Sequence, residues 1–407
     1  MIRRGLLSVI ALLHLPLVSC TISTGGGGGE KYDLGQIYNV AARHHGPERR
    51  PVILIPGVLG SQLRTTDGGE LVWGEHILKG ANSTTAEGQR MLALPMEKGK
   101  SLSALQDGVE AFGVLDRVKV SLFFGSIESK AYLGILKSLG IGGYYDEQIA
   151  LASGNVDYGK GHFTCFQFPY DWRRSCAENA AALGEFIKEK KAYVEGEYRE
   201  RFGISNPDVK FDLVAHSMGG LVTRYFLRYG DQPLPKSGLP KLNWAGTKDV
   251  SKVILVGTPN AGSIKALQNS LYGLKLGPTR RLSFSPGVVG TMPAGYELLP
   301  RARHGVLRND STGELMDPLD VEHWDENGWG LLDPDEAPIL EALLPHVADP
   351  QERRDIARDH LAKCLDNARR FHAALDRPAK LPKGKELVLF AGDAEQTNAL
   401  AKILPGR

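Results

Sequence analysis

The sequence is poor in cysteine, with four in 407 residues: Cys20, Cys165, Cys176 and Cys364. No CxxC pair and no Cys/His cluster has metal-ligand spacing, so neither a structural zinc nor any other metal site is expected, and no cofactor motif stands out. Cys165 and Cys176 flank one loop and leave a bridge open in an oxidising compartment. An excess of one charge is also missing. Lys and Arg total 49 against 47 Asp and Glu, and loss of Arg3 and Arg4 would leave 47 of each. That balance supplies no field for nucleic acid, which is set aside as a partner. Nor is there a run long enough to span a bilayer: the apolar stretch 5–18 is interrupted by Ser8, His14 and Pro16. No internal repeat is present. What remains is an ordinary globular composition, 42% hydrophobic and 24% charged, at a length that suits one large α/β domain with insertions or two small ones.

The first 19 residues have the form of a secretory signal, a basic pair followed by a short apolar run. They end in Leu17-Val18-Ser19-Cys20, which resembles the bacterial lipobox. The resemblance implies that Cys20 becomes a lipidated first residue attached to the membrane of a bacterial cell envelope. Thr21 rather than Asp follows it, so the outer membrane is expected where a cell has two. Residues 20–46 contain five consecutive glycines at 25–29. They offer little to pack and read as a flexible tether to a folded domain at 47–407.

Five short apolar runs mark that domain: Val52 to Ile55, Phe163 to Phe168, Phe211 to Val214, Val253 to Val256 and Leu387 to Phe390. Most are continuous rather than alternating, the pattern of strands buried on both faces of a parallel sheet. Between them, 177–201 places Leu183, Phe186, Ile187, Val194 and Tyr198 on roughly one helical face, and 219–229 follows the third strand directly. The alternation predicts an α/β fold. Two stretches, 61–160 and 263–380, are too long for plain loops and read as insertions over the sheet.

The third strand runs into Ala215-His216-Ser217-Met218-Gly219-Gly220 and then a helix. Strand, sharp turn and helix form the setting of a nucleophile elbow, with small residues needed on either side of the serine. Ser217 is therefore the candidate nucleophile. The plainer reading is a tight strand–helix turn with a capping serine. The first strand ends in Pro56-Gly57-Val58-Leu59-Gly60, where a backbone N–H could join that of Met218 in stabilising an oxyanion. Val58 is the expected donor, or Leu59 if the register shifts by one.

Four separated motifs then stand together: PVILIPGVLGSQL at 51–63, FPYDWR at 168–173, AHSMGG at 215–220 and GTPNAGS at 257–263. In sequence and order the chain resembles the lecithin:cholesterol acyltransferase-like family, over about residues 50 to 393. The resemblance implies an α/β-hydrolase core with a mostly parallel sheet, a cap and a lid, and acyl transfer from a lipid or phospholipid ester through a serine acyl-enzyme. Leu59, His216, Asp171 and Trp172 are expected around the pocket, Asp171 pairing with Arg173 to shape the site.

The resemblance also places a catalytic acid and then a histidine well beyond the fifth strand, and the sequence shows neither there. This reads as a C-terminal truncation that would leave a sheet edge exposed. Asp393, directly after that strand, is the remaining candidate acid. Of the downstream histidines, His304 and His323 fall in the expected lid, and His360 and His372 sit in a charged helical pattern that reads as solvated surface. Two functions follow. One is a lipid O-acyltransferase, phospholipase or esterase using Ser217; the other is a catalytically incomplete lipoprotein that binds lipid. A peptidase or small-ester hydrolase fits the four motifs less well.

Overall fold

A computed structural model describes residues 46–76, 79–115, 118–122, 125–129, 132–149, 161–276, 280–393 and 397–404. The expected signal segment, Cys20 and nearly all of the expected tether lie outside them. In chain order the strands are β1 (Val52–Ile55), β2 (Ser61–Thr65), β3 (Leu71–Trp73), β4 (Val109–Val114), β5 (Val118–Leu122), β6 (Gly125–Ser129), β7 (Cys165–Gln167), β8 (Phe211–His216), β9 (Val250–Val256), β10 (Leu274–Lys275), β11 (Ser283–Phe284), β12 (Leu307–Asn309), β13 (Glu386–Phe390) and β14 (Ala401–Ile403). The helices are α1 (Ala86–Leu92), α2 (Leu133–Ile141), α3 (Cys176–Phe202), α4 (Met218–Tyr229), α5 (Ile264–Tyr272), α6 (Pro286–Val289), α7 (Pro293–Glu297), α8 (Val321–Glu326), α9 (Ala337–Leu343) and α10 (Pro350–Asp376).

The five apolar runs become five strands of one sheet, ordered β13-β9-β8-β1-β7, with every neighbouring pair parallel. Strand β1 shows why the runs are continuous. Successive side chains point to opposite faces, so Ile53 and Ile55 join one core while Val52 and Leu54 join another. Both faces are covered, and an alternating pattern would leave polar groups buried.

Helix α3 starts at Ser175, whose hydroxyl accepts from the Ala177 N–H, and stops at Gly203 with φ 66°. Its stripe Leu183, Ile187, Val194 and Tyr198 is buried in the main core. Cys165 on β7 and Cys176 at the head of α3 are free, buried thiols, as is Cys364, so the bridge left open by the sequence is not formed.

The stretch after β1 builds an antiparallel sheet, β3-β2-β4, and a β5–β6 hairpin. The stretch after β9 is mainly helical and ends in α10, capped by Asp349 with Pro350 in the first turn. Here one expectation is corrected. His360 and His372 are buried, at 1% and 6% exposure. Their Nε2 atoms lie 2.9 Å from the Thr291 carbonyl and 2.8 Å from the Glu297 carbonyl. They sit on the stripe that includes Ile356, Cys364, Ala368 and Phe371, so helix periodicity overrides the local charge density.

Sheet order fixes where a site can form. From β1 the chain moves to β7 on one side and returns to β8 on the other, so the winding reverses between β1 and β8. The carboxyl ends of adjacent strands at such a reversal open the crevice of a doubly wound sheet.

Candidate active site

Two sharp turns meet at that crevice. Ser217 follows β8 with φ 51° and ψ −124° and begins α4 without capping it through its side chain. A left-handed φ is costly for a residue with a Cβ, and such strain persists only where the surroundings hold it. They do so through close backbone approach. A Cβ on Gly219 would lie 2.2 Å from the Pro56 carbonyl oxygen, and one on Gly57 would lie 2.8 Å from the Ser217 Cβ. Neither position admits a side chain without a shift of the structure. The Ser217 N–H itself donates to the Val256 carbonyl of β9.

The turn after β1 closes when the Gly60 N–H donates to the Gly57 carbonyl at 3.0 Å, with Leu59 at φ 61°. Val58 is exposed and Leu59 half-buried. Among the described residues, the Val58 N–H and the Met218 N–H at the start of α4 meet no acceptor.

The FPYDWR segment lies behind this turn. The Tyr170 hydroxyl donates to the Pro56 carbonyl at 2.7 Å, and the Trp172 indole donates to the Ser61 carbonyl at 3.1 Å. Trp73 adds a bond from its indole to the Leu59 carbonyl at 2.9 Å. Asp171 and Trp172 are buried, at 8% and 2% exposure. Trp172, with Tyr170, props the turn from within the protein, and Asp171 pairs with Arg173. Asp171 and Asp107 both contact the fully buried Arg173, at 2.8 and 2.6 Å. Thr258, from the GTPNAGS loop, packs so closely on Gly220 that a Cβ there would lie 1.9 Å from its hydroxyl.

His216 is half-buried beside Ser217, and its Nδ1 lies 2.9 Å from the Tyr132 hydroxyl. Burial lowers its pKa from the usual histidine value. Tyr132 carries no motif and lies in the stretch after β4, so no sequence signal singled it out. Asp393 follows β13, separated from β8 by β9; it is exposed and makes no hydrogen bond or ion pair among the described residues. Among the described residues no histidine is hydrogen-bonded to the Ser217 hydroxyl. His323 contacts the Asp317 carbonyl, and His304 and His346 are exposed. Among those residues there is also no group of three His, Cys, Asp or Glu able to hold a metal ion.

A parallel sheet wound outward from β1, with a sharp strand–turn–helix at the switch point, defines the class as an α/β-hydrolase. The lecithin:cholesterol acyltransferase family model matches residues 107–310, half of the chain, and this protein belongs to that family. The matched segment contains FPYDWR, AHSMGG and GTPNAGS. No curated protein matches the chain. Among solved structures, a chain in the crystal structure of the Tle4–Tli4 complex is similar at 17% identity, over 80% of this chain and 72% of that one, with a TM-score of 0.51. At that identity the likeness concerns the fold alone.

Proposed function

We propose that this protein transfers an acyl group from a lipid ester through an acyl-enzyme on Ser217. The observation that carries the reading is the strained Ser217 held at the switch point by Gly57 and Gly219, with the unpaired N–H groups of Val58 and Met218 on the two turns beside it. In the first step the serine Oγ bonds to the ester carbonyl carbon while those N–H groups receive the oxyanion. The carbon–oxygen bond to the alcohol then breaks, and the alcohol leaves with the serine proton. Water or a second alcohol reverses these steps from the acyl-enzyme, giving a hydrolase or an O-acyltransferase. Asp393 is the proposed acid. Family membership supports a lipid substrate.

The lipobox-like Cys20 supports attachment to the cell envelope, with the outer membrane as the site where two exist. Tethering would raise the local concentration of a membrane ester. Incorporation of labelled palmitate that is abolished by Cys20→Ser would bear this out, and unchanged incorporation would refute it.

One observation favours a second reading, a lipid-binding protein with a dormant serine: the Ser217 hydroxyl has no hydrogen-bond partner among the described residues. A fluorophosphonate probe separates the two. Labelling of the parent, lost in Ser217→Ala, supports acyl transfer. A folded parent that does not label supports the binding protein.

A further inference from the structure

The Pro56–Gly57 peptide is gripped at both ends by tyrosines. Its carbonyl accepts from Tyr170, and its N–H donates to the Tyr132 hydroxyl at 2.6 Å. The Tyr132 oxygen also lies 2.9 Å from His216 Nδ1, with the two rings edge to face at 5.5 Å. Proton directions follow from the donor inventory. The Gly57 N–H can only donate, so the Tyr132 oxygen accepts there. Tyr132 is 6% exposed and meets no other acceptor among the described residues. Its single hydrogen therefore goes to His216 Nδ1, and the imidazole proton stands on Nε2.

We propose that Tyr132 is a positioning residue for acyl transfer at Ser217: it fixes the peptide that leads into the Val58–Leu59 turn and locks His216 as the neutral Nε2–H tautomer. The proposal rests on the acyl-transfer reading of Ser217. Protonation of His216 would place a hydrogen on Nδ1 and leave the buried Tyr132 hydroxyl without an acceptor. Burial disfavours the imidazolium as well, and no charged neighbour offsets it. Among the described residues Tyr132 is the one titratable side chain in hydrogen-bond contact with the ring, and burial holds its phenol in the neutral form. Gly57 of the turn approaches His216 from another side: a Cβ there would lie 3.3 Å from both His216 Nδ1 and Ser217 Oγ. One hydroxyl thus sets the backbone beside the nucleophile and leaves a single donor, Nε2–H, free on the adjacent ring.

The test uses the full chain labelled with 15N-histidine, with the His216 signals assigned by their loss in His216→Gln. In the parent, the imidazole shifts should report Nε2–H, with any titration displaced below the ordinary histidine value. In Tyr132→Phe the ring should titrate and populate both tautomers. The fluorophosphonate labelling rate should fall roughly 10- to 100-fold at saturating probe, with little change in the half-saturating concentration, because the defect is in geometry near the reacting atoms. Tyr170→Phe releases the other end of the same peptide; it should slow labelling while leaving the His216 tautomer unchanged. Circular dichroism checks that each variant folds. Titration of the parent ring near the ordinary histidine value, or a proton on Nδ1, overturns the proposal. So does a Tyr132→Phe variant with unchanged spectrum and rate. If the parent does not label at all, the acyl-transfer reading fails, and the imidazole spectra still decide whether Tyr132 fixes the tautomer.

Discussion

Strands β8 and β13 belong to the same parallel sheet and are both rich in apolar residues, yet they meet different fates. Strand β8 sits between β1 and β9, and Phe211, Leu213 and Ala215 are fully buried. Among the described residues strand β13 pairs only with β9, and Leu387, Leu389 and Phe390 are 44%, 62% and 58% exposed. Composition makes both into strands; place in the sheet decides which is packed. The strained serine, the turn after β1 and the doubly held peptide all lie at the packed position, where close neighbours can over-determine an unfavourable backbone.

The contrast is open to attack from the centre outward. Arg173→Ala removes the fully buried cation between Asp107 and Asp171 and leaves only the less buried Arg174 beside them; loss of one partner from a buried pair costs up to about 3–5 kcal/mol. Chemical denaturation should register that loss. A change below about 1 kcal/mol would mean that water reaches the pair and that the support behind the turn is looser than its geometry implies.

The helical layer should respond to pH in two opposed ways. Burial raises the Glu297 pKa from 4.5 to about 7, against the hydrogen bonds from Ser175, Cys176 and Asn367 that lower it. The folded chain then holds a proton that the unfolded chain has lost. This stability is present below about pH 4.5 and disappears as pH rises through about 7. Burial lowers His360 to about 4 and His372 to about 3. Their contribution is present above the unfolded histidine pKa of about 6.5 and is lost as pH falls through those values. Two protons against one make the combined contribution of these three groups rise from about pH 4.5 to 6.5. Glu297→Gln should steepen that rise by about 1.4 kcal/mol per pH unit, the slope of one proton. An unaltered slope in denaturation curves across this range would exclude Glu297 as the opposing group.

The smallest effect belongs at the edge. Leu389→Lys should change stability by no more than about 0.5 kcal/mol, the usual range for an exposed position. It should also reduce concentration-dependent association in light scattering, because a charged edge resists strand pairing. A loss of several kcal/mol would show that β13 is packed after all.

Much of the sheet was legible. The runs at 52–55, 163–168, 211–214, 253–256 and 387–390 fall on its five strands, because burial on both faces writes a continuous apolar signal. The strand–turn–helix around Ser217 was readable for a similar reason: Gly219 stands where backbone meets backbone. His360 and His372 were misread although a signal existed, the spacing of Ile356, Cys364, Ala368 and Phe371 on the same stripe. The pairing of Asp171 with Arg173 was readable from their place in one motif, whereas the bond from Trp172 to the Ser61 carbonyl was not, since a motif does not say which way its side chains face.

The sequence by itself determined the strands, the long helix after Phe168 and the turn that lifts Ser217, because each depends on the periodicity or size of neighbouring residues. Only the tertiary structure decided that Tyr132 reaches Gly57 and His216, that Asp107 joins Asp171 on Arg173, and that β13 lies at an edge. Those outcomes depend on contacts between residues far apart in the chain, and a hydrogen bond or a place in a sheet leaves no mark on local spacing.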